Sequence, residues 1–193
     1  MDNADFMAMV PVPIPRIFFD YVIEAPIRKC LLCERDLLEA DVLYMVEKAI
    51  KEPDVLYEFA VCLPCMQKSQ QMISPESAEN IQAFFVERVN LRARARKLLA
   101  APPPFTVDDW LTECLVTGKL RTELREYTIY GLFLNDKILL GELPYLISAD
   151  ALVEIASLLS QTTKDEMGRF SDENLGVPPE FEDLFRKRTP LLF

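Results

Sequence analysis

Histidine is missing altogether from the 193 residues. That one absence removes the Ser/His/Asp triad, the Cys/His dyad and every imidazole metal ligand. Glycine is scarce, with five residues that form no phosphate-cradling loop, so a P-loop, a Rossmann turn and a nucleotide cofactor are not expected. Long hydrophobic runs are also lacking. The longest uncharged stretches, Phe6 to Pro15 and Leu98 to Val107, fall far below the roughly 18 apolar residues that a membrane-crossing helix needs. The start, Met1-Asp2-Asn3-Ala4-Asp5, is acidic where an export signal carries positive charge, and Pro11, Pro13 and Pro15 interrupt the apolar run behind it. A cytoplasmic, reducing setting with no membrane association is therefore expected. Basic charge is in deficit as well: 21 Lys+Arg against 31 Asp+Glu give a net −10. The deficit is steeper toward the C-terminus, since residues 1–101 hold 12 basic and 15 acidic side chains. Such a field repels phosphate backbones, and nucleic acid is not the expected partner.

What the chain does have is two Cys-x-x-Cys pairs, Cys30/Cys33 and Cys62/Cys65, separated by 28 residues, with a fifth cysteine, Cys114, left over. Four thiolates are the donor set of a closed tetrahedral zinc site. An odd number of cysteines in a reducing compartment favours metal over disulfides. Arg28, Lys29, Arg35 and Lys68 flank the pairs and could offset the charge of a four-thiolate centre. Cys114 stands in apolar surroundings and reads as packing.

The residues around the pairs suggest how they are carried. Val42 to Ile50 and Val55 to Val61 are β-prone runs separated by the turn-like Lys51-Glu52-Pro53-Asp54, which predicts a β-hairpin. After Cys65 the chain turns to helix formers behind Pro64. A C-x-x-C knuckle, a hairpin and a second C-x-x-C opening a helix resemble the treble-clef type of zinc module, or more loosely a zinc ribbon, over about residues 28–75. The resemblance implies zinc held by Cys30, Cys33, Cys62 and Cys65, with the last pair at a helix N-terminus. Glu34 and Met66 stand where such knuckles commonly carry glycine. Alternatively, the run Val55 to Cys65, a strand followed by C-x-P-C and a helix, is similar to a thioredoxin-like active site and would imply a thiol-disulfide oxidoreductase using Cys62 and Cys65.

Elsewhere, Ile14 to Glu24 is rich in aromatic and β-branched residues and predicts a strand. Ile81, Phe84, Phe85, Leu91, Ala95, Leu98 and Leu99 share a helical face, which predicts one long helix from about Ser74 to Ala100. Pro102-Pro103-Pro104 cannot continue it. Thr106 to Asp109 carries a capping signal for a short helix through Trp110 and Cys114, stopped by Gly118. Tyr127 to Leu134 and Lys137 to Leu140 flank the turn Asn135-Asp136, Tyr145 to Ile147 predicts another strand, and Ser148 and Asp150 introduce a helix. The last 25 or so residues, with Gly168, Gly176 and Pro178-Pro179, predict irregular structure. No internal repeat is legible.

The expected architecture is α+β: a zinc-stabilised hairpin plus long helix over 1–101, and an acidic α+β subdomain with an irregular tail over 105–193. The expected role is a non-enzymatic interaction or regulatory module that binds another macromolecule, with protein or a second copy of itself favoured. Arg92 and Arg96 on the basic helix end, and Phe181, Phe185 and Phe193 in the apolar tail, are the candidate partner contacts. A weaker alternative has Arg92 to Lys97 touching nucleic acid. The carboxylate pairs Asp108/Asp109, Glu123/Glu126, Asp165/Glu166 and Glu182/Asp183 read as solvated faces or caps on an acidic surface.

Overall fold

Two antiparallel strands, β2 (Leu43–Lys51) and β4 (Glu126–Leu134), lie at the centre of a six-stranded sheet. The computed structural model describes residues 9–175. On one side of β2 runs β3 (Asp54–Cys62), the hairpin partner expected from the sequence. On the other side of β4 run β5 (Lys137–Leu140), reached through the expected Asn135-Asp136 turn, and β6 (Tyr145–Ser148), which take opposite ends of that strand. Residues 126–148 and 43–62 are dense in Val, Ile, Leu, Tyr and Phe, the types that fit a pleated, packed surface. Alternating residues on β2 and β4 are buried on both faces, Tyr44, Val46 and Ile50 on one and Glu47 and Ala49 on the other. The protein is thus α+β, with its central strands covered on both sides.

Helices follow the outer strands directly. Cys62 ends β3 and caps α1 (Leu63–Ser69), with Pro64 in its first turn. Ser148 ends β6 and caps α5 (Ala149–Ser157). Ser74 caps α2 (Pro75–Arg88), which buries Ile81 and Phe84, and Ser160 caps α6 (Gln161–Asn174), which buries Met167 and Phe170.

Several expectations are corrected. Ile14–Glu24 is not a strand. Strand β1 is the earlier Val10–Pro13, on the sheet edge against β5, where prolines without N–H donors are tolerated. The residues after it form a one-turn 3-10 helix, Arg16–Phe18, which turns Phe18 into the core against Phe133. The long helix is broken. Val89 is extended at φ −131° and ψ 129°, and Asn90 accepts from the Ala93 amide at 2.9 Å to start α3 (Leu91–Leu99). Apolar periodicity was satisfied on both sides of the break, and the capping strength of asparagine decided it. The helix behind Thr106 is a single turn, α4 (Val107–Trp110), which ends before Cys114. The C-terminal region is regular through Asn174, with Gly168 inside α6. Phe181, Phe185 and Phe193 lie outside the described residues.

The spacer at Pro102-Pro103-Pro104, expected to divide 1–101 from 105–193, does not divide the sheet. Strand β2 pairs with β4 at nine positions, from Leu43↔Leu134 to Lys51↔Glu126, and one hydrophobic core runs through both segments.

Two glycines test this packing with opposite signs. A Cβ on Gly131 of β4 would meet the Phe133 ring at 2.7 Å and Phe18 at 3.1 Å, whereas one on Gly168 meets nothing within 4 Å. Gly131→Ala is expected to destabilise the fold by ~1–3 kcal/mol through overpacking. Gly168→Ala is expected to stabilise it by ~0.5–1 kcal/mol through helix propensity. Urea unfolding of both variants checks the pair.

Candidate metal centre

Cys30 and Cys33 belong to a tight turn that antiparallel bonds pinch shut. The Cys30 N–H donates to the Arg35 carbonyl at 3.0 Å, Glu34 N–H to the Cys30 carbonyl at 2.9 Å, and Leu37 N–H to the Arg28 carbonyl at 2.8 Å. Lys29 and Asp36 form the bridge at its base. Such a turn needs one residue in the left-handed region, and Glu34 occupies it with φ 58°. This is the position at which the sequence lacks the customary glycine. Met66 lies in an ordinary turn of α1 and carries no such requirement.

The turn is fastened to the hairpin by the Leu31 N–H, which donates to the Ala60 carbonyl of β3 at 2.8 Å. That bond carries the first cysteine pair to the junction of β3 and α1, where Cys62 and Cys65 project. The four sulfur atoms all lie within 4.8 Å of one another. Sulfurs at the corners of a tetrahedron with metal–sulfur bonds of about 2.3 Å are about 3.8 Å apart. The Cys33 and Cys62 sulfurs are 3.8 Å apart. The four predicted ligands are therefore positioned to hold one metal ion, although Cys30 and Cys62 lie 32 positions apart in the chain.

The surroundings decide how easily these thiols ionise. Cys30, Cys62 and Cys65 are buried and Cys33 is exposed. The Arg35 N–H donates to the Cys33 sulfur, and with the neighbouring thiols it lowers the Cys33 pKa to about 7 against the opposing effect of desolvation. Burial pushes the Cys62 and Cys65 thiols up; the neighbouring sulfurs add to the rise at Cys65, whereas at Cys62 the Cys65 backbone and sulfur oppose it. The buried thiols of Cys62 and Cys65 thus resist ionisation in the absence of a cation. A metal ion held there would supply the missing positive charge and displace the protons.

The flanking cations have their own contacts around the turn. Arg28 is held outward by Asp36, at 2.7 Å, and by Glu39, so it braces the base of the turn. Lys29 pairs with Glu34 at 3.7 Å, and both are exposed. Arg35 acts through its backbone, and Lys68 is an exposed residue in the last turn of α1.

The basic helix end is tied down elsewhere. Arg88 pairs with Glu154 at 2.8 Å and lies 4.5 Å over the Phe84 ring, and Arg92 lies 3.6 Å from Glu142. Arg94, half-buried, donates to the carbonyls of Trp110, Glu142 and Pro144. Its role in joining α3 to α4 and to the segment between β5 and β6 was not legible, since in the sequence it is one arginine among several. Arg96 is exposed in the last turn of α3, remote in the chain from the cysteines.

Two measurements follow from this geometry. An L-residue in the left-handed region costs ~1–2 kcal/mol, offset by the ~0.5–1 kcal/mol entropy of glycine. Glu34→Gly is therefore expected to leave stability unchanged or raise it by up to about 1 kcal/mol, read by thermal unfolding. Metal binding is expected to release more than one proton and to weaken as pH falls. Acid restores protons to thiols that must bind as thiolates; the raised Cys62 and Cys65 start that loss above neutrality, and Cys33 adds to it below about pH 7. Calorimetry in buffers of different ionisation enthalpy checks the count.

No protein-family model, no curated protein and no solved structure matches this chain.

Proposed function

We propose that this protein is a non-enzymatic module which binds another protein, and that zinc holds its N-terminal half in shape. The identity of the ion follows from donor chemistry. Four soft thiolates in a tetrahedral spacing suit zinc, which has no redox chemistry and tolerates a closed site. The arrangement of knuckle, hairpin and ligand pair at a strand-to-helix junction supports the treble-clef reading. A closed set of four ligands leaves no coordination position for water or substrate, which argues for a brace rather than a catalyst.

The observation that carries the binding role is an apolar loop tip held rigidly in water. Tyr21, Val22 and Ile23 are 55%, 87% and 72% exposed. Asp20 Oδ1 accepts from the amides of Val22 and Ile23 at 2.9 and 2.8 Å, and Glu58 accepts from the Tyr21 amide at 2.5 Å. Glu58 is itself paired with the buried Lys48, which donates to the Phe19 carbonyl at 2.6 Å. A fixed cluster of aromatic and β-branched side chains costs little entropy when it docks into an apolar groove.

The oxidoreductase reading is weaker. An attacking thiol must be accessible and of low pKa, whereas Cys62 is fully buried with its thiol pushed up, and the one exposed cysteine, Cys33, lies outside the C-x-P-C pair. Nucleic-acid binding through α3 is weaker too, because Arg92 and Arg94 are already engaged with Glu142 and backbone carbonyls.

Cys30→Ser and Cys65→Ser should lower the melting temperature alike and abolish its sensitivity to a chelator. A Cys30→Ser variant with unchanged stability while Cys65→Ser loses a disulfide-exchange activity would favour the oxidoreductase. For the binding role, Tyr21→Ser, Val22→Ser and Ile23→Ser are combined in the full chain. The expected result is unchanged stability and metal content, with loss of a defined set of partners in proximity labelling. The same partners retained by the variant would sink the proposal.

A further inference from the structure

The turn that carries Cys30 is built twice. Around Cys114 the same hydrogen bonds recur in the same order. The Cys114 N–H donates to the Lys119 carbonyl at 2.8 Å, as Cys30 does to Arg35 at 3.0 Å. Gly118 N–H donates to the Cys114 carbonyl, as Glu34 does to Cys30, both at 2.9 Å, and Arg121 N–H to Thr112, as Leu37 does to Arg28, both at 2.8 Å. Gly118 has φ 69° where Glu34 has 58°. The bridge Glu113↔Leu120 repeats Lys29↔Asp36. Each turn is then fastened to a strand in the same way, by Leu31 N–H to the Ala60 carbonyl and Leu115 N–H to the Leu146 carbonyl, both at 2.8 Å. Each is closed by an amide on sulfur: Cys62 N–H on Cys30 Sγ at 3.4 Å, Ser148 N–H on Cys114 Sγ at 3.2 Å.

The likeness extends through the following elements. Cys62 and Ser148 each end a strand and cap the next helix, and each strand end faces a tyrosine, Tyr44 or Tyr127, across its ladder. Helices α2 and α6 are both 14 residues long and bury matching pairs, Ile81 with Phe84 and Met167 with Phe170. Their caps are exchanged: Ser74 N–H donates to Thr163 Oγ1 and Ser160 N–H to Ser77 Oγ, both at 2.9 Å. Strand β2 pairs with β4 so that Tyr44↔Phe133 mirrors Ile50↔Tyr127. Such reciprocal contacts are the mark of a two-fold relation, here inside one chain.

We propose that the chain is two copies of one metal-knuckle module facing each other across β2 and β4, and that Cys114, Thr117, Ser148 and Ala151 form the second copy's metal pocket with hydrogen bonds in place of the ion. Cys114 stands at the place of Cys30, Thr117 of Cys33, Ser148 of Cys62 and Ala151 of Cys65. The Lys119 N–H lies 3.4 Å from Thr117 Oγ1, as the Arg35 N–H serves Cys33. The Ser148 hydroxyl lies 3.4 Å from both the Cys114 sulfur and the Ala151 amide. One sulfur and two hydroxyls satisfied in this way do not make a soft four-donor site, and Ala151 offers no ligand. The ligand class the pocket would regain, a zinc-like soft divalent cation, rests on the reading of the first site.

The test restores the thiols in the full chain with Thr117→Cys, Ser148→Cys and Ala151→Cys together. Titration with cobalt(II), read by its sulfur-to-metal charge-transfer band, should show one more equivalent bound than in the wild type. A folded triple variant with the wild-type count overturns the inference. If the triple variant does not fold, Thr117→Cys plus Ser148→Cys, closer in size to the native residues, presents three thiols. It is titrated with arsenite, which takes three: one equivalent above wild type supports the second pocket, and an equal count rejects it. The wild type's own cobalt count reads the first site separately. None bound there, with one in the variant, would sink the zinc reading and leave the duplicated pocket standing.

Discussion

The pairing of β2 with β4 is the interaction on which the rest of the structure depends. Each strand belongs to its own hairpin-like unit, and a lone hairpin is marginal in water and exposes an open edge. Nine paired positions join the two units into one sheet, and the Lys51–Glu126 ion pair at 2.9 Å closes one end of the ladder. The join leaves neither central strand with an open edge, and the elements packed on its faces bury Tyr130 and Phe133 fully. Helices α2 and α6 then meet through their exchanged serine and threonine caps, so the two units are tied at the sheet and again at the helices.

Within that frame the two knuckle turns solve one physical problem in two ways. A turn of this shape must be held against a strand end that begins a helix. At Cys114 small hydroxyls and a thiol satisfy one another, and the turn is held without a charge. At Cys30 four thiols crowd within 4.8 Å, and burial pushes the Cys62 and Cys65 thiols up, so a divalent cation would complete the group. Because the backbone geometry is the same in both, hydrogen bonds alone can hold this shape, which on the proposed reading makes an ion at the first site a brace.

The hairpins, the strand at Tyr145 and the clustering of the four cysteines were legible because alternation, turn residues and the C-x-x-C spacing each carry a local signal. The break at Asn90 was hidden because apolar spacing continued across it, and only the preference of asparagine for a cap pointed to it. The stretch from Ile14 to Glu24 misled because its aromatic and β-branched residues serve a core anchor at Phe18 and an exposed tip, not a strand. The internal repeat was invisible for a chemical reason. Three of four ligands changed to Thr117, Ser148 and Ala151, and β5 with β6 stands where the first copy has the single strand β3. What persisted is backbone geometry, including a left-handed residue that is glutamate in one copy and glycine in the other.

X-ray absorption at the zinc K-edge of the purified full chain tests the central claim most directly, because it reads the number and type of donor atoms around the ion. The account predicts one zinc per chain surrounded by four sulfur atoms at about 2.3 Å, with no nitrogen or oxygen in the first coordination sphere. A folded chain without metal, or an ion with oxygen ligands, would contradict it.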